Sequence, residues 1–133
     1  MLFRSNSDLS SADIDLVANE KRSFLLHDTL RHAEGIDYDV ILIDCPPSLS
    51  LLTINGLVAA HSVLIPLQAE FFALEGLSQL MMTIRKVRAA ANPGLRIEGV
   101  LLTMSDARNR LSRIRSNRIK KMVGLTDAEI FKK

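Results

Sequence analysis

Residues 39–47 read DVILIDCPP, which places four consecutive apolar residues between two aspartates, ahead of a proline pair. A short apolar run bounded in this way is typical of a strand buried on both faces, as in a parallel sheet. We expect the strand to end before Pro46 and Pro47, because proline has no backbone N–H to donate to a ladder. Asp44 then stands at the carboxyl end of the strand. Its carboxylate suits a water of a Mg²⁺ shell, although an aspartate at the end of a strand is more often simply a cap.

Strands and helices alternate on either side of this segment. The predicted helices cover residues 12–18, residues 23–34, a segment from Ser48 or Ser50 to about Ala60, residues 74–91 and a segment from Leu111 onward. The predicted strands are 40–43, 62–65 ended by Pro66, and 99–102 within the segment 97–103, with a turn at 92–94 before the third. This order requires a parallel sheet with crossover helices, so the predicted fold class is α/β.

The carboxyl ends of parallel strands are the usual place for ligands in such sheets. Three segments follow the three predicted strands: Asp44–Pro47, Pro66–Glu70 and Thr103–Asp106. We expect these segments to cluster in space.

Composition narrows the class of protein. The 133 residues fit one domain, and 47% hydrophobic with 24% charged residues is close to the globular average. With Cys45 as the one cysteine no internal disulfide forms, and no apolar run approaches the ~20 residues that cross a bilayer, so we expect a soluble cytoplasmic protein.

Other chemistries find little support in the sequence. A carboxylate beside Cys45 raises a thiol pKa, which argues against a nucleophile. The three histidines show no metal-ligand spacing, and Ser48 lies outside any Gly-x-Ser-x-Gly elbow. The Met81-Met82 pair is expected to fill the core.

Charge is distributed unevenly along the chain. Residues 106–133 hold nine Lys or Arg against three acidic residues, a net charge of +6, whereas residues 1–105 carry a net charge of −4. The C-terminal end therefore either favours an anionic surface or is simply a solvated basic helix.

Three ordered segments resemble signatures of the ParA branch of the ParA/MinD-type deviant Walker A ATPases. They are YDVILIDCPPSL at 38–49, continued by TINGL at 53–57, then PLQAEFFALEGL at 66–77, and GVLLTMSDAR at 99–108. The loop and helix at 5–14 also look like the family, so the resemblance covers about residues 5–112.

The resemblance implies a P-loop NTPase-like, three-layer α/β/α fold that is incomplete here. Relatives in this family dimerise on ATP with Mg²⁺, bind DNA without sequence specificity and are stimulated by a ParB-type partner. They segregate chromosomes and plasmids in the cytoplasm at the nucleoid, and no membrane span is implied.

Site residues follow from the same resemblance. Asp44 would be the Walker B residue that acts on Mg²⁺ through water, and Pro46 and Pro47 would belong to switch II, which responds to the γ-phosphate. Gln68 and Glu70 would shape the end of the second strand. The remaining nucleotide-binding residues, expected near the adenine, are Thr103, Met104 and Asp106.

The chain departs from the family pattern at both ends. None of its six glycines forms the Gly-Lys-Thr or Gly-Lys-Ser loop that supplies N–H groups and a lysine to the phosphates. Ser105 replaces a residue that is usually aromatic, and the similarity fades after Ser112. We therefore expect residues 1–112 to be a partial ParA-like domain, residues 113–133 to be a basic tail, and the whole to be a truncated frame that is not catalytic alone.

The alternative is a non-catalytic interaction module that pairs with a homologue or binds DNA through its basic C-terminal segment. The DNA-binding candidates are Arg113, Arg115, Arg118, Lys120 and Lys121.

An unrelated Rossmann-type domain is disfavoured because the Gly-x-Gly-x-x-Gly fingerprint is missing. A sheet with an uncovered side also predicts self-association or poor solubility.

Overall fold

A parallel sheet flanked by helices dominates the C-terminal half of the computed structural model, which describes residues 21–33, 38–46, 48–68, 73–103, 110–124 and 130–132. The chain divides into two units, Met1–Ala60 and His61–Lys133, and each is taken by itself. The first unit contains helices α1 (Leu25–His32) and α2 (Leu51–Ala59). The second contains, in chain order, β1 (Ser62–Gln68), α3 (Ala73–Ala90), β2 (Arg96–Thr103), α4 (Arg110–Val123) and β3 (Ile130–Lys132).

The sheet of the second unit runs in the order β1-β2-β3, and both pairs are parallel. The predicted α/β class is confirmed. The prediction that Pro66 ends a strand is wrong, since the ladder continues through the Pro66–Leu101 pair to Gln68. β1 lies at an edge of the described sheet, where proline is tolerated because its missing N–H faces away from the neighbouring strand. β3 was not predicted at all.

The core of the second unit consists of buried apolar residues from α3, from β2 and from the turn between them. Leu77, Ile84 and Leu95 are buried together with Val100 and Leu102 of β2, as the helical spacing of the α3 apolar residues predicts. Burying each such side chain contributes about 1.5–3 kcal/mol. The structure confirms the turn after α3, in which the Leu95 N–H donates to the Asn92 carbonyl at 3.2 Å.

Two apolar residues of the second unit are more exposed than the sequence suggests. Leu64 of β1 belongs to the predicted apolar strand 62–65, yet it is 51% exposed. Met81 is buried as predicted for a core filler, whereas Met82 points to solvent. At helical spacing two adjacent residues occupy different faces, so only one of them can lie in the core.

Asn55 ties the two helices of the first unit together. It is 5% exposed, and its amide donates to the Arg22 carbonyl at 2.7 Å and to the Leu51 carbonyl at 3.0 Å. Its Oδ1 accepts from the Leu26 N–H at 3.2 Å, which is one of the donors that the first turn of a helix leaves without an intrahelical partner. No residue of α1 is itself fully buried, so this polar contact holds a helix that has little apolar burial of its own.

One further prediction in the first unit is wrong. Residues 40–43 form no strand, because a strand exists through its ladder and no described residue pairs with them. The predicted helix that starts at Ser48 or Ser50 is confirmed, with Ser50 as the N-cap residue of α2, but the Ser50 side chain makes no capping bond and its Oγ has no hydrogen-bond partner among the described residues. The predicted helix at 12–18 lies outside the described residues.

We expect Asn55→Ala to lower the free energy of unfolding by about 1–3 kcal/mol, because it removes the hydrogen bonds that the buried Asn55 amide makes to the Leu26 N–H and to the Arg22 and Leu51 carbonyls. Urea denaturation followed by far-UV circular dichroism measures the loss. Asn117→Ala is the matched control, since Asn117 is exposed on α4 and such a change stays within about 0.5 kcal/mol. Equal effects of the two substitutions would contradict the role given to Asn55.

Candidate functional site

Asp44 stands after the apolar run, with its residue exposed to solvent. Among the described residues no group of three or more His, Cys, Asp or Glu side chains is placed to hold a metal ion. One exposed carboxylate suits a single water-mediated contact to Mg²⁺, which keeps most of its waters. It does not make a nucleotide site, because the sequence supplies no Gly-Lys-Ser or Gly-Lys-Thr loop to hold phosphates. The residues present therefore do not fit a complete Mg²⁺-nucleotide site.

Cys45 packs its sulfur against the backbone of Gly56 in α2. A Cβ placed on Gly56 would come within 2.8 Å of the Cys45 Sγ and 3.6 Å of the Ile43 Cγ2. Glycine at this position allows the helix to approach the segment that carries Asp44. Burial of the sulfur raises the pKa of the Cys45 thiol, and the Asp44 carboxylate raises it further, although the residue as a whole is exposed. Burial is thus a second reason, beside the Asp44 carboxylate, why Cys45 is a poor nucleophile.

The residues after the proline pair are held by Thr53. Its Oγ1 donates to the Ser48 carbonyl at 2.6 Å, and Thr53 itself is buried. Pro46 is exposed, whereas Pro47 lies outside the described residues. The start of α2 and the segment after Asp44 are therefore joined by a side-chain hydrogen bond as well as by the Gly56 contact.

The carboxyl ends of β1 and β2 lie side by side in the second unit. Gln68 pairs with Thr103 in the register, and the Thr103 Oγ1 donates to the Leu67 carbonyl at 3.5 Å. This confirms that the segments after these two strands start next to each other. Glu70, Met104 and Asp106 lie outside the described residues, and Asp44 belongs to the other unit.

The basic helix α4 confirms the predicted helix from Leu111 onward. Ile119 is buried, and the Ser78 Oγ of α3 donates to the Met122 Sδ at 3.4 Å, so that α4 packs on α3. Arg118 and Lys121 are exposed and Lys120 is half-buried. Arg113 and Arg115 lie in the same helix, in a part whose side chains are outside the description.

Sequence reasoning missed the roles of Thr53, Asn55 and Gly56, although it had noted their segment. The available signal was their helix propensity. Asparagine and glycine are poor helix formers, and finding both in the middle of a short apolar helix indicates that each is kept there by a specific contact.

A model of the AAA domain family matches residues 1–97 of the chain. Over 101 residues the chain is 57% identical to the chromosome partitioning protein ParA of Myxococcus xanthus, an alignment that covers 76% of this chain and 35% of the relative. The chain belongs to the ParA/MinD-type family. It spans less than half the length of the ParA relatives that it matches.

Solved structures agree with the P-loop NTPase-like fold of this ParA/MinD-type chain. A plasmid partition protein from Borrelia burgdorferi superposes with a TM-score of 0.74 at 27% identity, covering 96% of this chain and 50% of that protein. A cobyrinic acid a,c-diamide synthase from Mycobacterium smegmatis, solved with bound ADP and magnesium, gives 0.79 at 41% identity and covers 88% of this chain and 47% of that protein. None of the described helices of this chain is long and apolar enough to span a membrane.

Cys45 is expected to react slowly with iodoacetamide, because the thiolate is the nucleophile and the pKa of the thiol is raised. The rate should rise with pH through a midpoint above that of an unstructured peptide of the same local sequence. Asp44→Asn should move the midpoint down only in part, since burial is the larger cause of the shift.

Rates measured across a pH series in buffer with EDTA check this expectation, with the peptide as the reference. A midpoint equal to that of the peptide, in both the parent chain and the Asp44→Asn variant, would show that the sulfur is not held against Gly56.

Proposed function

We propose that this chain acts in chromosome or plasmid partitioning, as part of an ATP-dependent DNA-segregation switch of the ParA type. The observation that carries the proposal is the 57% identity to a protein named for chromosome partitioning. The synthase from Mycobacterium smegmatis is 41% identical, so its named activity is the weaker guide. The proposed setting is the cytoplasm at the nucleoid, with a homodimer or a homologue, a ParB-type protein and non-specific DNA as partners.

Within that function we assign Asp44 to a water-mediated contact with Mg²⁺ and Pro46 and Pro47 to the segment that responds to the nucleotide. The exposed position of Asp44 and the hydrogen bond that fixes Ser48 support these assignments. Thr103, with Met104 and Asp106, is assigned to the adenine side, which is supported by the position of Thr103 at the carboxyl end of β2.

We further propose that these 133 residues do not bind or hydrolyse Mg²⁺-ATP by themselves. A phosphate site depends on several backbone N–H groups and a lysine converging on the same oxygens, and Asp44 has no means of replacing them. Any nucleotide site that uses Asp44 then needs a phosphate-binding loop from outside these 133 residues.

Isothermal titration calorimetry of Mg²⁺-ATP into the purified chain tests this proposal, and we expect no saturable heat. Asp44→Ala serves as the site variant and Asp39→Ala as its matched control, because both aspartates are exposed and flank the same apolar run. Saturable binding that is weakened by Asp44→Ala and not by Asp39→Ala would overturn the proposal. It would show that the chain, alone or as a dimer, still forms a working site.

DNA binding through α4 is the second candidate function. It is favoured by the exposed Arg118 and Lys121 and by the net charge of +6 over residues 106–133. No aromatic residue interleaves with the basic residues of α4, so contacts to phosphates are expected rather than base stacking.

We expect the chain to bind labelled duplexes of unrelated sequence equally, with affinity that falls linearly on a log–log plot against salt. Lys121→Ala should weaken binding to every duplex and reduce the salt slope by about 0.9, the contribution of one phosphate contact. Fluorescence anisotropy over a salt series provides the measurement. Lys86 is an exposed lysine on α3, and Lys86→Ala should leave the salt slope unchanged. An affinity that does not change with salt concentration would rule out DNA binding through α4.

A further inference from the structure

Thr53 reaches back from α2 to the segment that follows Asp44. It stands three residues after Ser50, the N-cap residue of α2, and the side chains of a helix point toward its N-terminus. A polar side chain at this position therefore meets the backbone that precedes the helix, as the glutamate or glutamine of a capping box does. Here the polar group is a hydroxyl, and it donates to the Ser48 carbonyl at 2.6 Å.

The hydrogen bond of Thr53 differs from those of the two other threonines in the described helices. Thr29 donates to the Leu25 carbonyl at 2.7 Å and Thr83 to the Gln79 carbonyl at 3.1 Å. Both bonds are exposed and run four residues back within the same helix, which is the ordinary arrangement for a helical threonine. Thr53 is 5% exposed, and its bond leaves the helix. Its hydroxyl therefore joins α2 to another part of the chain.

The same segment touches α2 at a second point. The Cys45 Sγ lies 2.8 Å from the place where a Cβ on Gly56 would stand. The two contacts with α2 thus flank the proline pair in the sequence, Pro46-Pro47. Proline fixes its own φ and restricts the residue before it, so two prolines leave few rotations that could absorb a displacement. Fixing the Ser48 carbonyl therefore also restricts the residues before the pair.

We propose that Thr53 is a positioning residue for Asp44 and Pro46, and that it acts through the Ser48 carbonyl. Its hydroxyl holds one end of the segment while the contact of Cys45 with Gly56 holds the other. The importance of that orientation rests on the proposed function, in which Asp44 and the proline pair respond to the nucleotide. The hold itself is a property of this chain without nucleotide, and it is tested in that state.

Backbone amide NMR relaxation of the whole chain measures the hold of Thr53. Thr53→Val keeps the branched side chain and removes the hydroxyl. We expect it to lower the order parameters of the Asp44, Cys45 and Ser48 amides by roughly 0.2, from the rigid range near 0.85 toward the flexible range below about 0.6. Thr53→Ser keeps a hydroxyl at the same position and should restore the parent values.

Thr29→Val is the matched control, because it removes a hydroxyl that donates to a carbonyl within α1 of the same unit. It should leave the order parameters of Asp44, Cys45 and Ser48 unchanged. The Leu26 amide, which donates to Asn55, is the internal reference in Thr53→Val. A general loosening of the unit would lower the order parameter of Leu26 together with those of the segment, whereas the loss of a positioning contact leaves Leu26 as it was.

A measurement on the parent chain needs no variant. The hydroxyl proton of the buried Thr53 should exchange with water more slowly than that of Thr29, whose hydrogen bond is exposed. Equal exchange of the two protons would overturn the proposal. So would unchanged order parameters in Thr53→Val, or a fall that Leu26 shares or that Thr53→Ser does not reverse. None of these measurements uses nucleotide or DNA, so the outcome is separate from that of the partitioning function.

Discussion

In the described part of the first unit, the buried amide of Asn55 links the two helices. Helix α1 has no fully buried residue, and an eight-residue helix is too short to be stable on propensity alone. Asn55 supplies what α1 lacks, by accepting from its first turn and donating to the backbone that precedes it. Gly56, the next residue, gives the segment before α2 its close approach. Two adjacent residues of α2 thus orient the elements on both sides of it, and through Cys45 they also position Asp44.

The sequence predicted the second unit more accurately than the first. Helix α3 and strand β2 have strong local patterns, and their buried residues, Ile84 and Val100 among them, occupy the expected faces. Periodicity is a reliable guide there because the partners that bury these residues belong to the same unit. β3 escaped prediction because three residues carry no periodicity, and its pairing with β2 is a long-range contact.

The failure at Val40–Ile43 has a different origin. The composition of that run indicates a segment suited to burial on both faces. Burial also requires neighbouring elements, and a local sequence pattern does not show which elements lie next to the segment. Asp44 was found through its position after the run, whereas Asn55 was overlooked because an amide that serves backbone groups about 30 residues away leaves no mark in local spacing. The similarity to known proteins supports the family of this chain, whereas the roles assigned to residues such as Asp44 and Thr103 rest on sequence motifs.

Pro66 has a consequence for how the chain meets other molecules. The ladder passes through Pro66 without a break, so the N–H that proline lacks is missing from the outer side of β1, where another chain would have to pair. The outer edge of β1 is therefore a poor template for strand addition, even though the nearby Leu64 is exposed. A strand added at β1 would leave one of its own acceptors without a donor, so β1 resists edge-to-edge aggregation.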